Sequence, residues 1–144
     1  MGWTHYWERE IELSEEVFVN AVHDCKVLFD KIDPSISGSG GYGDAEFDPN
    51  GIVFNGANGM ACEDFTFTRI QVPRRNRERA LGYCKTEHLP YDLWVQTVLI
   101  ILKHHLGDIM KVASDGSEED WKKAKNLCQE HLGYGSDFEL EMIF

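Results

Sequence analysis

The feature that most limits the fold of this chain is an apolar segment, Leu93 to Leu106, that leaves almost no polar face. Its longest uninterrupted apolar stretch, Val98 to Leu102, is far shorter than the roughly 20 residues that a membrane-spanning helix needs. Pro90 suits the first turn of a helix, and Gly107 suits its end. Because a helix that is apolar nearly all round lies inside a domain, we expect a central, buried helix here.

The rest of the chain alternates between strand-like and helix-like hydrophobic patterns. Strands are predicted over residues 3–10, 51–56, 63–72 and 109–114, and two further helices are predicted to begin at the caps Ser14 and Ser117. A chain of 144 residues suits one domain with a substantial core. We therefore predict a single α+β domain over residues 1–144, with a mostly antiparallel sheet and about three helices. A Gly/Ser-rich loop is expected at 37–51 and a basic loop at 73–89.

The charge of the chain is unevenly distributed. The formal net charge is −11, yet residues 69–86 contain six of the 14 Lys and Arg residues and one acid, which gives +5 locally and leaves −16 for the remainder. A strongly acidic surface repels long nucleic acids and anionic membranes. One small basic segment on such a surface favours a small anionic ligand. The opening residues have neither the basic nor the apolar region of a signal peptide, so we expect a cytoplasmic protein.

The candidate binding site lies where the basic segment meets the predicted central helix. A helix N-terminus offers unpaired N–H groups and about half a positive charge, so it favours phosphate groups. Lys85 and Thr86 stand just before that helix, and arginine side chains can bind phosphate through two N–H groups at once. The candidate ligand-binding residues are Lys85, Thr86, Arg74, Arg75, Arg77, Arg79, Tyr91 and Asp92, and Tyr83, His104, His105 and Glu63 are candidates for lining a pocket.

Each of these assignments has a structural alternative that the sequence leaves open. Lys85 is also compatible with a solvated side chain, and the arginines with pairing to acidic groups of this chain or of another subunit. Asp92 would oppose an anion in the first helical turn, and it is equally suited to capping the helix or accepting a ribose hydroxyl. His104 and His105 are equally suited to hydrogen-bonded structural roles.

The sequence contains no standard catalytic or metal-binding motif. The four cysteines form no C-x-x-C pair, so we expect them to be reduced and mostly buried. The neighbouring residues His104 and His105 point about 100° apart on a helix, so they do not share one metal ion without strain. We therefore expect no metal and no cofactor. A histidine that acts as acid or base beside Glu63 or Asp92 remains an alternative.

Several segments follow one another in a distinctive order. They are GIVFNG (51–56), CEDFTF (62–67), YCKTEHLPYD (83–92), VASDG (112–116) and W-x-x-A-x-x-L-C-x-x-x-L-G-Y-G (121–135), and they cover most of the chain. In this order they resemble a family of small, uncharacterised proteins of phages and other viruses. The resemblance implies a viral or prophage setting, and hence the cytoplasm of an infected host cell. It brings no reaction with it.

The viral setting suggests an analogy of type with small proteins that sequester nucleotide signals of host immunity. By this analogy we expect a homo-oligomer that binds a cyclic nucleotide or an ADP-ribose derivative without catalysis. The aromatic side chains that could stack on a base are Trp3, Trp7, Tyr83 and Tyr91. One alternative is an enzyme that processes a nucleotide or phosphoester with His104 or His105. A second is a protein inhibitor that docks through the basic loop.

Overall fold

The predicted helices and strands occur in the predicted order, with further strands between them, over the residues 3–73 and 78–143 that the computed structural model describes. The strands are β1 (Thr4–Glu10), β2 (Ile36–Ser37), β3 (Glu46–Asp48), β4 (Gly51–Gly56), β5 (Phe65–Thr68), β6 (Arg79–Lys85) and β7 (Met110–Ser114). The α-helices are α1 (Glu15–Ile32), α2 (Asp92–Leu106) and α3 (Lys122–Leu132), with 3-10 turns at Ser39–Gly41, Gly107–Ile109 and Glu119–Trp121. The named strands pair antiparallel, so the predicted α+β class is confirmed.

Helix α2 is the central element that its composition predicts. Every residue from Val95 to Leu102 is buried, and the helix packs against α1, α3 and β7. Within this buried stretch, the hydroxyl of Thr97 donates to the carbonyl oxygen of Leu93 at 2.7 Å, so it is satisfied inside the helix. In the part of the chain that the structure describes, no helix is long and apolar enough to cross a membrane.

Helix α1 covers one side of α2. The hydroxyl oxygen of Ser14 accepts a hydrogen bond from the N–H of Val17 at 3.4 Å, and Glu15 and Glu16 lie at the positive end of the helix dipole. Its buried face consists of Phe18, Ala21, Val22, Cys25, Leu28 and Phe29. The spacing of these residues follows the helical period that the sequence shows, so this face packs into the core.

Two small sheets complete the domain. The first has the strand order β6–β1–β7, and in the second β4 lies between β2 and β3 and also pairs with β5. The segments that follow β1 and β5 join the two sheets, because Leu13 N–H donates to Arg69 O at 3.0 Å and Gln71 N–H donates to Ile11 O at 2.9 Å. The predicted strand 63–72 is therefore shorter than expected, with its last residues in this junction.

The fully buried Arg9 reinforces the junction between the sheets. Its guanidinium donates to the carbonyl oxygens of Thr68 at 2.6 Å and Arg69 at 2.8 Å, and it lies 4.7 Å from the ring centroid of Phe67. Burial lowers the pKa of Arg9 to about 10. The charge is thus held by carbonyl dipoles of the neighbouring sheet.

Two predicted loops contain strands instead. In the Gly/Ser-rich loop predicted at 37–51, the segment Glu46–Asp48 pairs with β4, and the Asp48 carboxylate accepts the N–H groups of Asn50 and Gly51 in a tight turn. In the basic loop predicted at 73–89, the segment Arg79–Lys85 pairs along the whole of β1. Both corrections have the same cause, because the pairing partner is supplied by another strand and not by the local composition.

Helix α3 closes the other side of the core. The predicted capping box forms only in part, because the N–H and the hydroxyl of Ser117 both donate to the Asp120 carboxylate, at 2.8 and 3.0 Å, and the Ser117 side chain accepts no helix N–H. A 3-10 turn follows, and the α-helix begins at Lys122. Trp121, Ala124 and Cys128 are buried. Free cysteines are found at Cys25, Cys62, Cys84 and Cys128, and all but Cys62 are buried.

Candidate functional site

Four polar side chains from distant parts of the sequence meet at one corner of the fold. Here β1 begins, β6 and β7 end, and α2 begins. The four are His5 in β1, Thr86 directly after β6, Asp92 at the start of α2, and Ser114 at the end of β7. They form a continuous chain of hydrogen bonds, which we call the corner array.

His5 is the centre of the corner array. Its side chain is fully buried, its Nδ1 lies 2.7 Å from Ser114 Oγ, and its Nε2 lies 2.6 Å from Asp92 Oδ1. An ionised carboxylate only accepts hydrogen bonds, so Nε2 carries the hydrogen that faces Asp92. In the neutral imidazole, Nδ1 is then the acceptor, and the hydroxyl of Ser114 donates to it.

Asp92 holds the other end of the array. In addition to His5, its carboxylate accepts the hydroxyl of Thr86 at 2.5 Å and the side-chain N–H of Gln96 at 2.9 Å. Burial acts to raise the pKa of Asp92, but the hydrogen bonds and charge of His5 and the bond from Thr86 outweigh it, so the pKa lies below its usual value. Asp92 is therefore ionised at neutral pH, and several donors fix its orientation.

Aromatic rings and a close backbone approach enclose the corner array. The Trp121 ring lies edge-on to His5 at a centroid distance of 4.9 Å. The N–H of Gly116 donates to Ser114 Oγ at 2.9 Å. A Cβ atom at Gly116 would lie 2.8 Å from the Trp3 indole, so this close turn depends on glycine.

The structure does not assemble Lys85 and Thr86 into the predicted phosphate site. Thr86 is fully buried and donates its hydroxyl to Asp92, whereas the side chain of the preceding Lys85 is about half exposed and lies 3.6 Å from the Glu87 carboxylate. Asp92 is held in the corner array, as described above. The start of α2 therefore presents a carboxylate that is already hydrogen-bonded, and not a free anion site.

Tyr91 and Glu63 have structural contacts in the same region. Tyr91 is fully buried, and its hydroxyl donates to the carbonyl oxygen of Glu63 at 2.7 Å. The Glu63 carboxylate accepts the N–H of Lys85 at 2.8 Å. Burial raises the pKa of Tyr91. Tyr91 thus links the start of α2 to the segment before β5 by a hydrogen bond, and its buried ring is not exposed for stacking on a ligand.

The predicted arginine cluster divides into two parts. Arg74, Arg75 and Arg77 lie outside the described residues. Arg79 belongs to β6, where it forms an ion pair with Glu8 at 3.2 Å and donates to the carbonyl oxygen of Ile109 at 2.6 Å. Arg79 is therefore engaged within the chain.

A separate groove opens between the edges of β5 and β6. It has a volume of about 850 Å³, and its lining includes Trp7, Glu63, Asp64, Thr66, Val72, Pro73, Gly82 and Tyr83. The groove narrows at both ends, where Glu63 N–H donates to Lys85 O at 3.2 Å and the side chain of Gln71 donates to Leu81 O at 3.1 Å. Between these two contacts, β5 pairs with β4 and β6 pairs with β1, and the two edges remain apart.

Hydrogen-bonding groups face this groove. Arg69 N–H bonds to Asn50 on the β4 side, so the alternation of a strand turns the backbone groups of Thr66 to the groove. By the same reasoning, Thr86 N–H bonds to β1, and the backbone groups of Tyr83 face the groove. Trp7 is buried, and its Nε1 has no acceptor among the described residues.

The two histidines at the end of α2 form a third cluster. The Asp24 carboxylate accepts the Tyr134 hydroxyl and lies within hydrogen-bond distance of His105 Nε2, both at 2.7 Å. His104 stacks on the Tyr134 ring at a centroid distance of 3.6 Å. Partial burial and the nearby His105 lower the pKa of His104. His105 is thus engaged in a hydrogen bond with Asp24, and His104 in an aromatic stack.

The described residues contain no group of three His, Cys, Asp or Glu side chains placed to hold a metal ion.

The corner array includes His5 and Ser114, to which sequence reasoning gave no role. A usable signal existed for His5, because strand alternation places it on the same face of β1 as the buried Trp7.

No family model matches the chain, and no curated protein or solved structure is significantly similar to it.

Proposed function

We propose that the protein binds a nucleotide-class small molecule in the groove between β5 and β6 without transforming it there. The observation that carries this proposal is the groove itself, whose volume of about 850 Å³ lies in the range of small-molecule sites. An exposed aromatic side chain lines the same space, together with two strand edges that pair with no further strand among the described residues, and this combination suits an aromatic base.

The base would stack on Tyr83. Tyr83 is 53% exposed, so its ring can present a face to a ligand. Backbone N–H and C=O groups of Thr66 and Tyr83 supply donors and acceptors for the edge of the base. A ligand acceptor that reaches Trp7 Nε1 would satisfy a buried donor, and an unsatisfied one costs about 1–3 kcal/mol.

The charges along the groove favour one orientation of a bound nucleotide. Glu63 and Asp64 line one end, and Asp64 is held ionised because hydrogen bonds from Ser39, Gly40 and Asn55 outweigh the effect of burial and lower its pKa. Acidic groups suit the amino group of a base and repel phosphate. Pro73 also lines the groove, and Arg74 and Arg75 follow it directly in the sequence. The phosphate would therefore lie toward Pro73.

The test is a depletion and recovery experiment with nucleosides, mononucleotides, cyclic dinucleotides and ADP-ribose. The ligand is mixed with protein, unbound ligand is removed, and the protein is denatured before chromatography of what it releases. We expect one class to be retained and recovered unchanged. Retention of no member of the panel, or recovery of an altered molecule, would contradict the proposal.

Variants then locate the site. Tyr83→Ala should weaken binding about tenfold or more, since base stacking contributes about 1–3 kcal/mol per base. The matched control is Tyr42→Ala, because Tyr42 is 83% exposed and lies outside the groove. The double variant Arg74→Ala/Arg75→Ala should weaken a nucleotide but not its nucleoside. Equal loss in the Tyr42 and Tyr83 variants would exclude stacking in the groove.

A further inference from the structure

The corner array has the arrangement of an activated serine. Ser114 Oγ lies 2.7 Å from one imidazole nitrogen of His5, and the Asp92 carboxylate lies 2.6 Å from the other. We infer that Ser114 is a nucleophile, with His5 as its general base and Asp92 as the residue that positions the histidine. This site shares no residue with the groove, so it does not depend on the proposed binding function.

The hydrogen bonds point in the direction that general-base catalysis requires. Asp92 fixes the Nε2–H tautomer of His5 and leaves the lone pair of Nδ1 toward Ser114. The N–H of Gly116 donates to Ser114 Oγ, so the hydroxyl hydrogen is left to point at Nδ1. The two imidazole nitrogens are used in the opposite order to that in chymotrypsin-type proteases, where the serine contacts Nε2. Both orders connect the base to serine on one side and to carboxylate on the other.

The members of the corner array differ in burial, as a nucleophile and its base require. His5 is fully buried and only 14% of the Asp92 side chain is exposed, so water competes little for the bonds between them. Ser114 is partly exposed at the end of β7, where the chain turns to the surface. Ser114 is thus the more exposed residue of the two, and the base is enclosed.

The surroundings select the class of substrate. The turn that follows Ser114 carries Asp115, Glu118, Glu119 and Asp120 within six residues. Their charge repels a phosphate ester and tolerates an uncharged acyl group. We therefore assign the site to carboxylic esters and related uncharged acyl compounds.

The reaction needs only water as a second reactant. As Ser114 Oγ bonds to the carbonyl carbon, its proton passes to His5 Nδ1. The bond from the carbonyl carbon to the alcohol oxygen then breaks, and the departing oxygen takes that proton. Water attacks the acyl-serine, gives its proton to Nδ1 in turn, and the serine oxygen recovers that proton as the acid leaves.

The first experiment uses diisopropyl fluorophosphate, which forms a serine–phosphorus bond and releases fluoride. We expect intact mass spectrometry and peptide mapping to show one adduct, at Ser114. Ser114→Ala should abolish it, and Ser136→Ala, at an exposed serine elsewhere, should leave it unchanged. Absence of an adduct from the folded protein, or equal labelling of the denatured protein, would overturn the inference.

Two further variants separate activation from mere exposure. Asp92→Asn should slow both labelling and the release of nitrophenol from 4-nitrophenyl acetate by at least 100-fold, in a protein whose circular dichroism is native, because the carboxylate no longer holds the tautomer. Ser114→Cys should react with iodoacetamide faster than the exposed Cys62 of the same chain. Reaction of Cys62 first would show that His5 does not activate position 114, and so would refute the inference.

Discussion

Replacing Asp92 with alanine should destabilise the protein well beyond the effect of losing one helix charge. The carboxylate accepts hydrogen bonds from His5 Nε2 and the Thr86 hydroxyl, and both of these residues are fully buried. In Asp92→Ala, these two fully buried donors would remain inside the protein without an acceptor, and the nearly buried side-chain N–H of Gln96 would lose its acceptor as well. This is the most costly kind of hydrogen-bond deletion, because water does not reach the groups that remain.

The expected size follows from those two donors. Each unsatisfied buried donor costs about 1–3 kcal/mol, so the loss in the free energy of unfolding should be about 2–6 kcal/mol. The charge at the helix N-terminus accounts for only about 0.3–1 kcal/mol. Domains of this size have a total stability of about 5–15 kcal/mol, so the variant would lose a large share of it.

Urea denaturation followed by tryptophan fluorescence measures this loss. The matched control is Glu15→Ala, since Glu15 occupies the first position of α1 and is exposed. It shares the dipole interaction but has no buried donor to satisfy. A difference of less than 1 kcal/mol between Asp92→Ala and Glu15→Ala would refute the reasoning.

The stability difference between the wild type and Asp92→Ala should also depend on pH, in a direction that the pKa of Asp92 sets. Because the folded-state pKa of Asp92 lies below its usual value, its contribution is complete above the unfolded value of about 3.9. It is lost as the pH falls through the folded-state pKa. The stability gap between the wild type and Asp92→Ala should therefore be constant near neutral pH and shrink below about pH 4. A gap that widens on acidification would contradict the ionised state of Asp92.

Three other substitutions test separate parts of the structure. Arg9→Lys should lower the free energy of unfolding by about 1.5–3 kcal/mol, measured in urea, because an ammonium group does not reproduce the forked contacts to two carbonyl oxygens. Gly82→Ala should cost about 1–3 kcal/mol in the same assay, since its Cβ would lie 2.3 Å from Trp7 Nε1, and an unchanged midpoint would disprove that contact. Asp24→Asn should lower the melting temperature at pH 7 and have little effect at pH 3, because hydrogen bonds from Tyr134 and His105 outweigh burial and lower the pKa of Asp24.

The sequence predicts an element correctly where the hydrophobic pattern lies within one continuous segment. The buried α2 and the capped α1 could be predicted because their apolar residues recur at helical spacing within one continuous segment. The strand β6 could not, since its identity depends on pairing with β1, whose residues lie 69 to 81 positions away from their partners, from Glu10↔Arg79 to Thr4↔Lys85. Its arginine, glycine and lysine residues suggest a polar loop until that partner is known.

The candidate site follows the same division. Thr86 and Asp92 could be selected from the sequence because they flank the start of a predicted helix, but their role as hydrogen-bond partners of a buried histidine could not. Ser114 and His5 are 109 positions apart, and no spacing rule connects them. Only the sheet register, which sets His5 opposite Ser114, brings the array together.

The most direct test of the corner array is a long-range ¹H–¹⁵N nuclear magnetic resonance spectrum of the histidine side chains. We predict that His5 carries a hydrogen on Nε2, and that this proton resonates far downfield and exchanges slowly, because it lies in a buried bond to Asp92. The signal should move upfield in Asp92→Asn and persist in Ser114→Ala. A His5 resonance with the hydrogen on Nδ1, or one that exchanges rapidly with solvent, would contradict the array.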